Sequence, residues 1–249
     1  MTADNTGRVA LITGGGTGIG RATAIQLADA GWQVIVAGRR EAPLADLAAE
    51  HPAISYQVVD VADDTQARRL VDSAIDTHGR LDALINNAGA LNPISTTNPT
   101  HDALNHLFSI NVFGPSYLVG AAVKHLSVSG GSIVNVSSAV AQRPQSRSVF
   151  YGASKAALDY LTRSWAGELA GQGIRVNAVA PGPTDTPILS TVLPPDKVAE
   201  IAALEAASLP LKRRGTADEV ARWIVALVDP AAEWVTGQVI AIDGGMAIA

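Results

Sequence analysis

The chain has 249 residues, 47% hydrophobic and 16% charged, a globular composition with enough length to bury a substantial core, unlike a disordered or fibrous chain. Eighteen basic and twenty-three acidic residues leave a net charge of −5. That balance opposes attraction to phosphate backbones and anionic membrane surfaces, so neither nucleic acid nor membrane is an expected partner, and the absence of cysteine excludes disulfide and thiolate chemistry.

The start, "MTADNTGRVALI", lacks the basic region and long apolar stretch of a signal peptide. No segment is expected to reach the ~20 apolar residues of a membrane span, and the expected setting is cytoplasmic. In chain order, the runs "RVALIT", "QVIVAG", "SYQVVDV", "LDALINNAG", "GGSIVNVSS", "GIRVNAVAPG" and "GQVIAIDGG" predict seven strands. Between them, segments such as "GRATAIQLADAG" and "TQARRLVDSAIDTHG" repeat apolar residues at three and four positions, which predicts helices; Gly31 and Gly79 stand where two of them close. Strand and helix in alternation require crossover connections, hence a mostly parallel, doubly wound α/β sheet with helices on both faces. No linker, charge block or low-complexity tract divides residues 1–249, which read as a single domain. Only Pro183 to Pro210 breaks the rhythm, with prolines 183, 187, 194, 195 and 210 around a short helix-like segment. An insertion at about 184–210 is a candidate substrate lid.

"TGGGTGIG", Thr13 to Gly20, follows the first strand and opens the first helix. There Gly14, Gly18 and Gly20 would allow a tight turn, close approach of backbone to a pyrophosphate, and helix–sheet packing, with the phosphates at a positive helix end. With a strand before it and a helix after, the loop reads as a Rossmann-type dinucleotide site, a plain turn being the other reading of a lone glycine triad, and Gly14 stands four residues before Gly18 where the commonest form has two. No Lys-Ser or Lys-Thr pair follows Gly20, which excludes a Walker-type loop. The second strand ends in "VAGRRE": Gly38 leaves the acidic, ribose-binding place empty, while Arg39 and Arg40 offer charge and a planar fork to a 2′-phosphate. NADP(H) is therefore favoured and NAD(H) is the alternative. A pair of solvated loop arginines is the other reading of the same residues, and Glu41 is a small counterweight.

"YGASKAAL" sets Tyr151 and Lys155 four residues apart, one turn above the other on a helix face. A phenol alone is a poor acid–base group near neutrality, and a neighbouring ammonium would lower its pKa. Ser138, thirteen residues upstream, ends a predicted strand, where ligands meet an open parallel sheet, and its hydroxyl could polarise a carbonyl oxygen. By spacing alone, an ordinary exposed helical pair is the favoured reading of Tyr151 and Lys155.

Taken together, "TGGGTGIG", "NNAG" at 86–89, the serine before "YGASK", "PGPTDT" at 181–186 and the ending "VTGQVIAIDGG" resemble the short-chain dehydrogenase/reductase family in its form of about 250 residues. The resemblance covers essentially the whole chain and accounts for the stretched glycine spacing, since T-G-x-x-x-G-x-G is that family's loop. It implies that Tyr151 is the catalytic acid or base, that Ser138 holds the substrate oxygen, and that Lys155 bonds the nicotinamide ribose and lowers the tyrosine pKa. Asn111, in "SINVFG", corresponds to the asparagine supporting a proton relay to that lysine; as a residue unfavourable inside a helix it is otherwise a kink. The resemblance further implies cofactor contacts at Gly14, Thr17, Gly18, Ile19, Gly20, Arg39 and Arg40, at Asp60 and Val61 beside the adenine, and at Asn87, Ala88 and Gly89 along its ribose. Pro181, Gly182, Thr184 and Thr186 match the nicotinamide-positioning turn, with Thr184 a departure from the usual Val or Ile. Ser137 adjoins Ser138, but the thirteen-residue interval selects the latter.

The implied reaction is reversible hydride transfer between nicotinamide and a carbonyl or secondary alcohol, with NADPH-dependent ketone reduction favoured. No metal is needed, and His51, His78, His101, His106 and His125 show no ligand spacing. Leu91, Asn92, Val140, Gln142, Val149, Ile188, Leu189 and Leu193 are candidate substrate walls, mainly apolar, suiting a medium-sized or bulky neutral substrate; they serve equally as lid packing. Arg143 and Arg147 either meet an anionic tail, such as an acyl-carrier group, or face water. Two other function classes remain. A non-catalytic dinucleotide sensor would not need serine, tyrosine and lysine together, and an isomerase or dehydratase on the same scaffold would show no net cofactor turnover. The resemblance also implies a homotetramer built through helices at about 101–126 and 151–170 and the C-terminal strand.

Overall fold

A computed structural model describes residues 7–146 and 148–249; Arg147, considered above for an anionic tail, lies outside the described residues. In β1 (Val9–Thr13), Val9 and Leu11 belong to one apolar cluster and Ala10 and Ile12 to another, because successive strand side chains point to opposite faces. In β2 (Gln33–Gly38), Ile35 and Ala37 join the first cluster and Val34 and Val36 the second. Strands apolar on both faces must be covered on both. Helices α1 (Gly18–Asp29) and α2 (Glu41–Glu50) bring Leu27, Leu44 and Leu47 to the second face. After β3 (Ile54–Val58), α3 (Asp64–His78) brings Leu70 and Val71 to the first.

Beyond β4 (Ala83–Asn86), helices α4 (His101–Phe108) and α5 (Gly114–Ser129) run on through a π-helical turn at Ser109–Phe113. By length and composition alone the continuous helix His101–Ser129, whose most apolar 18-residue window has a mean hydropathy of 1.2, could cross a membrane, where no such segment was expected. Half of its most apolar window is buried within the protein, however, and Leu107, Ile110, Leu118 and Leu126 are core side chains, so its apolar character is explained by core packing.

Then follow β5 (Ser132–Val136), α6 (Ala139–Gln142), α7 (Val149–Leu169) and β6 (Arg175–Pro181). A separate two-stranded parallel pair, β7 (Thr184–Asp185) with β8 (Gly215–Thr216), brackets the insertion, whose "short" helical segment is a full α8 (Pro195–Ser208). Helix α9 (Ala217–Val228) and strand β9 (Val239–Ile242) complete the fold.

The seven predicted strands form one parallel sheet in the order β3-β2-β1-β4-β5-β6-β9. The chain winds outward from β1 in one direction through β2 and β3, then in the other from β4. That reversal leaves a crevice beyond the carboxyl ends of β1 and β4, the place where open α/β sheets bind ligands.

Candidate functional site

The glycine loop occupies this crevice. Gly14 has φ 65, and a Cβ there would lie 2.9 Å from Asn87 Nδ2, so the position excludes side chains by conformation and by contact. A Cβ on Gly20 would strike the Gly14 carbonyl oxygen, which is how α1 starts so close to the strand it follows. Thr17 precedes α1 without a side-chain cap, and no acidic residue occupies the helix's first turn. The first-turn amides, Ile19 and Gly20 among them, therefore remain as unsatisfied donors at a positive helix end, which fits the pyrophosphate of a dinucleotide.

Arg39 and Arg40 share a shallow cavity of about 80 Å³ with Gly14, Gly16, Thr17 and Gly38. Arg40 Nη2 donates to Thr17 Oγ1 at 3.4 Å. The two arginines thus stand beside the phosphate-cradling loop, with the acidic place at Gly38 empty.

Three of the residues expected to contact the cofactor, Asn87, Ala88 and Asp60, make hydrogen bonds within the protein. Asn87 Nδ2 donates to the carbonyls of Thr13 at 2.8 Å and Gly14 at 3.0 Å, while the amides of Asn87 and Ala88 donate to Thr13 Oγ1. The "NNAG" segment is therefore a brace beneath the glycine loop, and only Gly89 is exposed in the crevice. Asp60 Oδ1 accepts from the Ala62 amide at 3.0 Å. Val61 is a buried member of the first core cluster, leaving backbone as its only means of reaching a cofactor.

At the end of β5, Ser138 is 9% exposed and precedes α6. Burial pushes the Tyr151 phenol up from its ordinary pKa, and a hydrogen bond with the Ser138 hydroxyl pulls it back. Lys155 is 3% exposed, and its Nζ donates to the Val136 carbonyl at 2.8 Å. Desolvation brings the Lys155 ammonium down to about 8. Lys155 is itself desolvated and aimed at a carbonyl, so Ser138 is the group that opposes the effect of burial on Tyr151. Ser137 turns away from the crevice and donates to the Lys155 carbonyl at 3.3 Å, leaving Ser138 as the serine beside the phenol.

Asn111 lies fully buried on the π-helical turn, a feature frequent at functional sites. Its side chain accepts from the Ala90 amide at 2.9 Å and donates to the Ala90 carbonyl and to Ser154 Oγ, each at 3.0 Å. A Cβ on Gly89 would lie 3.5 Å from Lys155 Nζ and 3.6 Å from Asn111 Oδ1. The residues spaced along the sequence as Gly89, Asn111 and Lys155 therefore converge, with Ser138 and Tyr151, beside the crevice.

Across from the loop, Pro181 ends β6 and Thr184 Oγ1 donates to the Gly182 carbonyl at 2.9 Å. Thr186 Cγ2 would be 3.1 Å from a Cβ on Gly18, so the 181–186 turn faces the glycine loop directly. Behind it lies a cavity of about 340 Å³ lined by Asp185, Thr186, Ser190, Val198, Ala202 and Arg214, among others. None of the predicted wall residues, Leu91, Asn92, Val140, Gln142, Val149, Ile188, Leu189 and Leu193, lines it. Val140 instead packs on Ala139, Leu209 and Met246, and Val149 is 42% exposed. Arg143 directs Nη1 to the Met246 carbonyl at 2.7 Å, tying the Ser138 segment to the C-terminal turn. Sequence reasoning did not find Ser154, Asp185, Glu205 or Arg214. For Ser154 the signal was its place inside "YGASK"; Arg214 had none, standing in a basic run that reads as solvated.

Fold and crevice together define a dinucleotide-binding α/β protein with a serine, a tyrosine and a lysine at the crevice's edge. A family model described as enoyl-(acyl carrier protein) reductase matches residues 14–247. A 3-oxoacyl-(acyl-carrier-protein) reductase of Thermotoga maritima is 36% identical over 247 residues, covering 97% of this chain and 98% of that protein. A cis-4-hydroxycyclohexanecarboxylate dehydrogenase of Sinomonas cyclohexanicum is 39% identical over 247 residues, with 96% of each chain covered. Among solved structures, a short-chain dehydrogenase/reductase from Caenorhabditis elegans, determined with cofactor, superposes with a TM-score of 0.93 at 30% identity, covering 99% of this chain and 97% of that one. The chain belongs to the short-chain dehydrogenase/reductase family. It is a nicotinamide-dependent oxidoreductase acting on small molecules.

Proposed function

We propose that the enzyme reduces a neutral, medium-sized ketone with NADPH in the cytoplasm. The observation that carries this reading is the grouping of Ser138, Tyr151 and buried Lys155 beside the crevice that the glycine loop and the 181–186 turn enclose. NADPH, when bound, supplies the hydride. Tyr151, a phenol that carries its proton at neutral pH, donates that proton to the carbonyl oxygen as it gains charge. Ser138 donates a hydrogen bond to the same oxygen. Lys155 steadies the phenolate left behind and bonds the nicotinamide ribose, and Asn111 holds the Ala90 backbone and Ser154 in place around it.

Gly14, Thr17, Gly18, Ile19 and Gly20 hold the pyrophosphate, Arg39 and Arg40 the 2′-phosphate, Asp60 and Val61 the adenine, and Asn87, Ala88 and Gly89 flank its ribose. Pro181, Gly182, Thr184 and Thr186 position the nicotinamide. The insertion at about 184–210 closes over the substrate as a lid. Relatives named for 3-oxoacyl reduction and hydroxycyclohexanecarboxylate oxidation support a ketone or secondary alcohol at the reacting carbon. Exposed Phe113 and Val128 on the 101–129 helix and Tyr160 on α7 support assembly as a homotetramer through those helices.

The test is titration with NADPH and NADH, followed by energy transfer from the four tryptophans, and then a ketone panel with NADPH oxidation as readout. Tighter NADPH binding with turnover on ketones is the expected result. Tighter NADH binding would overturn the cofactor assignment, and binding without net NADPH oxidation on any ketone would overturn the reaction.

A further inference from the structure

Helix α8 is held against the fold without a buried residue of its own, although burial of an apolar face is what ordinarily secures a surface helix. Its attachment comes from the segment that follows. Lys212 takes a left-handed backbone, φ 56, a conformation that persists in a residue with a side chain only where its surroundings hold it. From there Lys212 Nζ donates to the Ala207 carbonyl at 3.0 Å, at the negative end of α8.

Two residues on, the Arg214 side chain is only 8% exposed. Its Nε lies 3.1 Å from Asp185 Oδ1 and 3.6 Å from Glu205 Oε2, and its Nη2 donates to the Thr184 carbonyl. One guanidinium therefore touches the insertion's helix, through Glu205, and both residues of β7.

Arg214 projects from a rigid base. Thr216 and Glu219 form a capping box at the start of α9, and Arg213 pairs with both oxygens of Glu219, at 2.8 and 2.6 Å. Helix α9 itself buries Val220, Ala221 and Ile224. Asp185 is 67% exposed and Glu205 31%, so water competes for the carboxylates far more than for the arginine. Arg214 also lines the 340 Å³ cavity between α8 and Thr186, which leaves α8 room to shift while the arginine keeps its grip.

The geometry points to Arg214 as a positioning residue that clamps α8 to the Thr184–Thr186 turn, so that lid and turn move as one and together retain the bound dinucleotide. Retention rests on the reading of that turn as a nicotinamide contact; the clamp rests on the contacts alone. Without the guanidinium, Glu205 has no cation beside it and the Thr184 carbonyl loses its donor, which frees α8.

The test uses full-length Arg214→Gln and Arg214→Lys, with Glu205→Gln as a second route to the same break. Hydrogen exchange is followed across 195–208 and 217–228 without dinucleotide, and NADPH release by stopped-flow loss of energy transfer. Arg214→Gln is expected to speed exchange in α8 and NADPH release each by about tenfold, the factor that ~1.4 kcal/mol represents, with α9 unchanged. Glu205→Gln should move both the same way by less, and Arg214→Lys should fall between Arg214→Gln and the parent. Unchanged exchange in α8, or an equal rise in α9, would overturn the clamp, and faster exchange with unaltered NADPH release would overturn its coupling to the turn. Should the parent protein bind no NADPH, the cofactor reading of the turn fails, while the exchange arm still decides the clamp.

Discussion

Asn111 Nδ2 donates to Ser154 Oγ at 3.0 Å, and Ser154 Oγ in turn donates to the Tyr151 carbonyl at 2.7 Å. The π-helical turn and α7 are thus joined by a polar chain through Ser154, the residue before Lys155, to the backbone of Tyr151. Asn111 also satisfies both backbone groups of Ala90, so replacing it with leucine strands an amide and a carbonyl in a buried place. Asn111→Leu is expected to lose about 1–3 kcal/mol of stability, the cost of leaving buried polar groups unpaired, and turnover with it. Ser154→Ala, which removes one link, should lose less. Urea midpoints with unchanged slopes would measure both, and an Asn111→Leu protein as stable as the parent would show the brace to be dispensable.

The proton in the proposed reaction comes from Tyr151, whose phenol is protonated at neutral pH. Tyr151→Phe keeps the ring and removes only the hydroxyl. A fall in kcat of about 10²- to 10⁴-fold is expected, the usual contribution of a positioned acid, with NADPH affinity little changed. Single-turnover rates separate this from slow product release. A kcat within threefold of the parent's would assign the proton to another group.

Cofactor choice should follow Arg39 and Arg40, which share the shallow cavity with Thr17 and Gly38. Arg39→Asp would replace a cation with a carboxylate suited to a ribose hydroxyl. NADPH binding should weaken by more than tenfold, consistent with loss of a charge-assisted hydrogen bond of about 1.5–3 kcal/mol, while NADH binding holds or improves. Equal loss for both cofactors would make Arg39 a general phosphate contact rather than the reader of the 2′-phosphate.

The parallel strands were legible because both their faces are covered, so that "VALI", "VIVA" and "SIVNV" read as near-continuous apolar runs. Their carboxyl ends place Ser138 and the glycine loop on one edge of the sheet, which the order of strands along the chain already implies. Less legible were features made by distant segments. Thr184 pairs with Gly215 across the whole insertion, and "LKRRGT" gives no local sign that the side chain of its second arginine, Arg214, is buried while that of the first, Arg213, is not. Helix α8 carries no buried residue, hence no firm apolar stripe by which its length could be read. The π-helical turn at Asn111 differs from an α-helix by one extra residue, which periodicity over a few residues does not reveal.

Lys155 links the site to stability. Desolvation lowers its folded-state pKa to about 8 from the ordinary 10.5, so between those values the unfolded chain binds more protons than the folded one. Stability then rises with pH across that window. Below about 8 the charged ammonium is buried at a constant cost, and above 10.5 both states are neutral. Tyr151 acts in the opposite sense, but only above its own ordinary value of 10, because its folded-state pKa is raised. From about pH 7.5 to 9.5 the lysine contribution therefore stands clear of the tyrosine's, and amounts to about 2 kcal/mol at 1.36 kcal/mol per pKa unit. Urea unfolding of the parent and of Lys155→Met at both ends of this range isolates it. The parent should gain on the variant by that amount as pH rises, and parallel pH dependences would show that Lys155 titrates near its ordinary value.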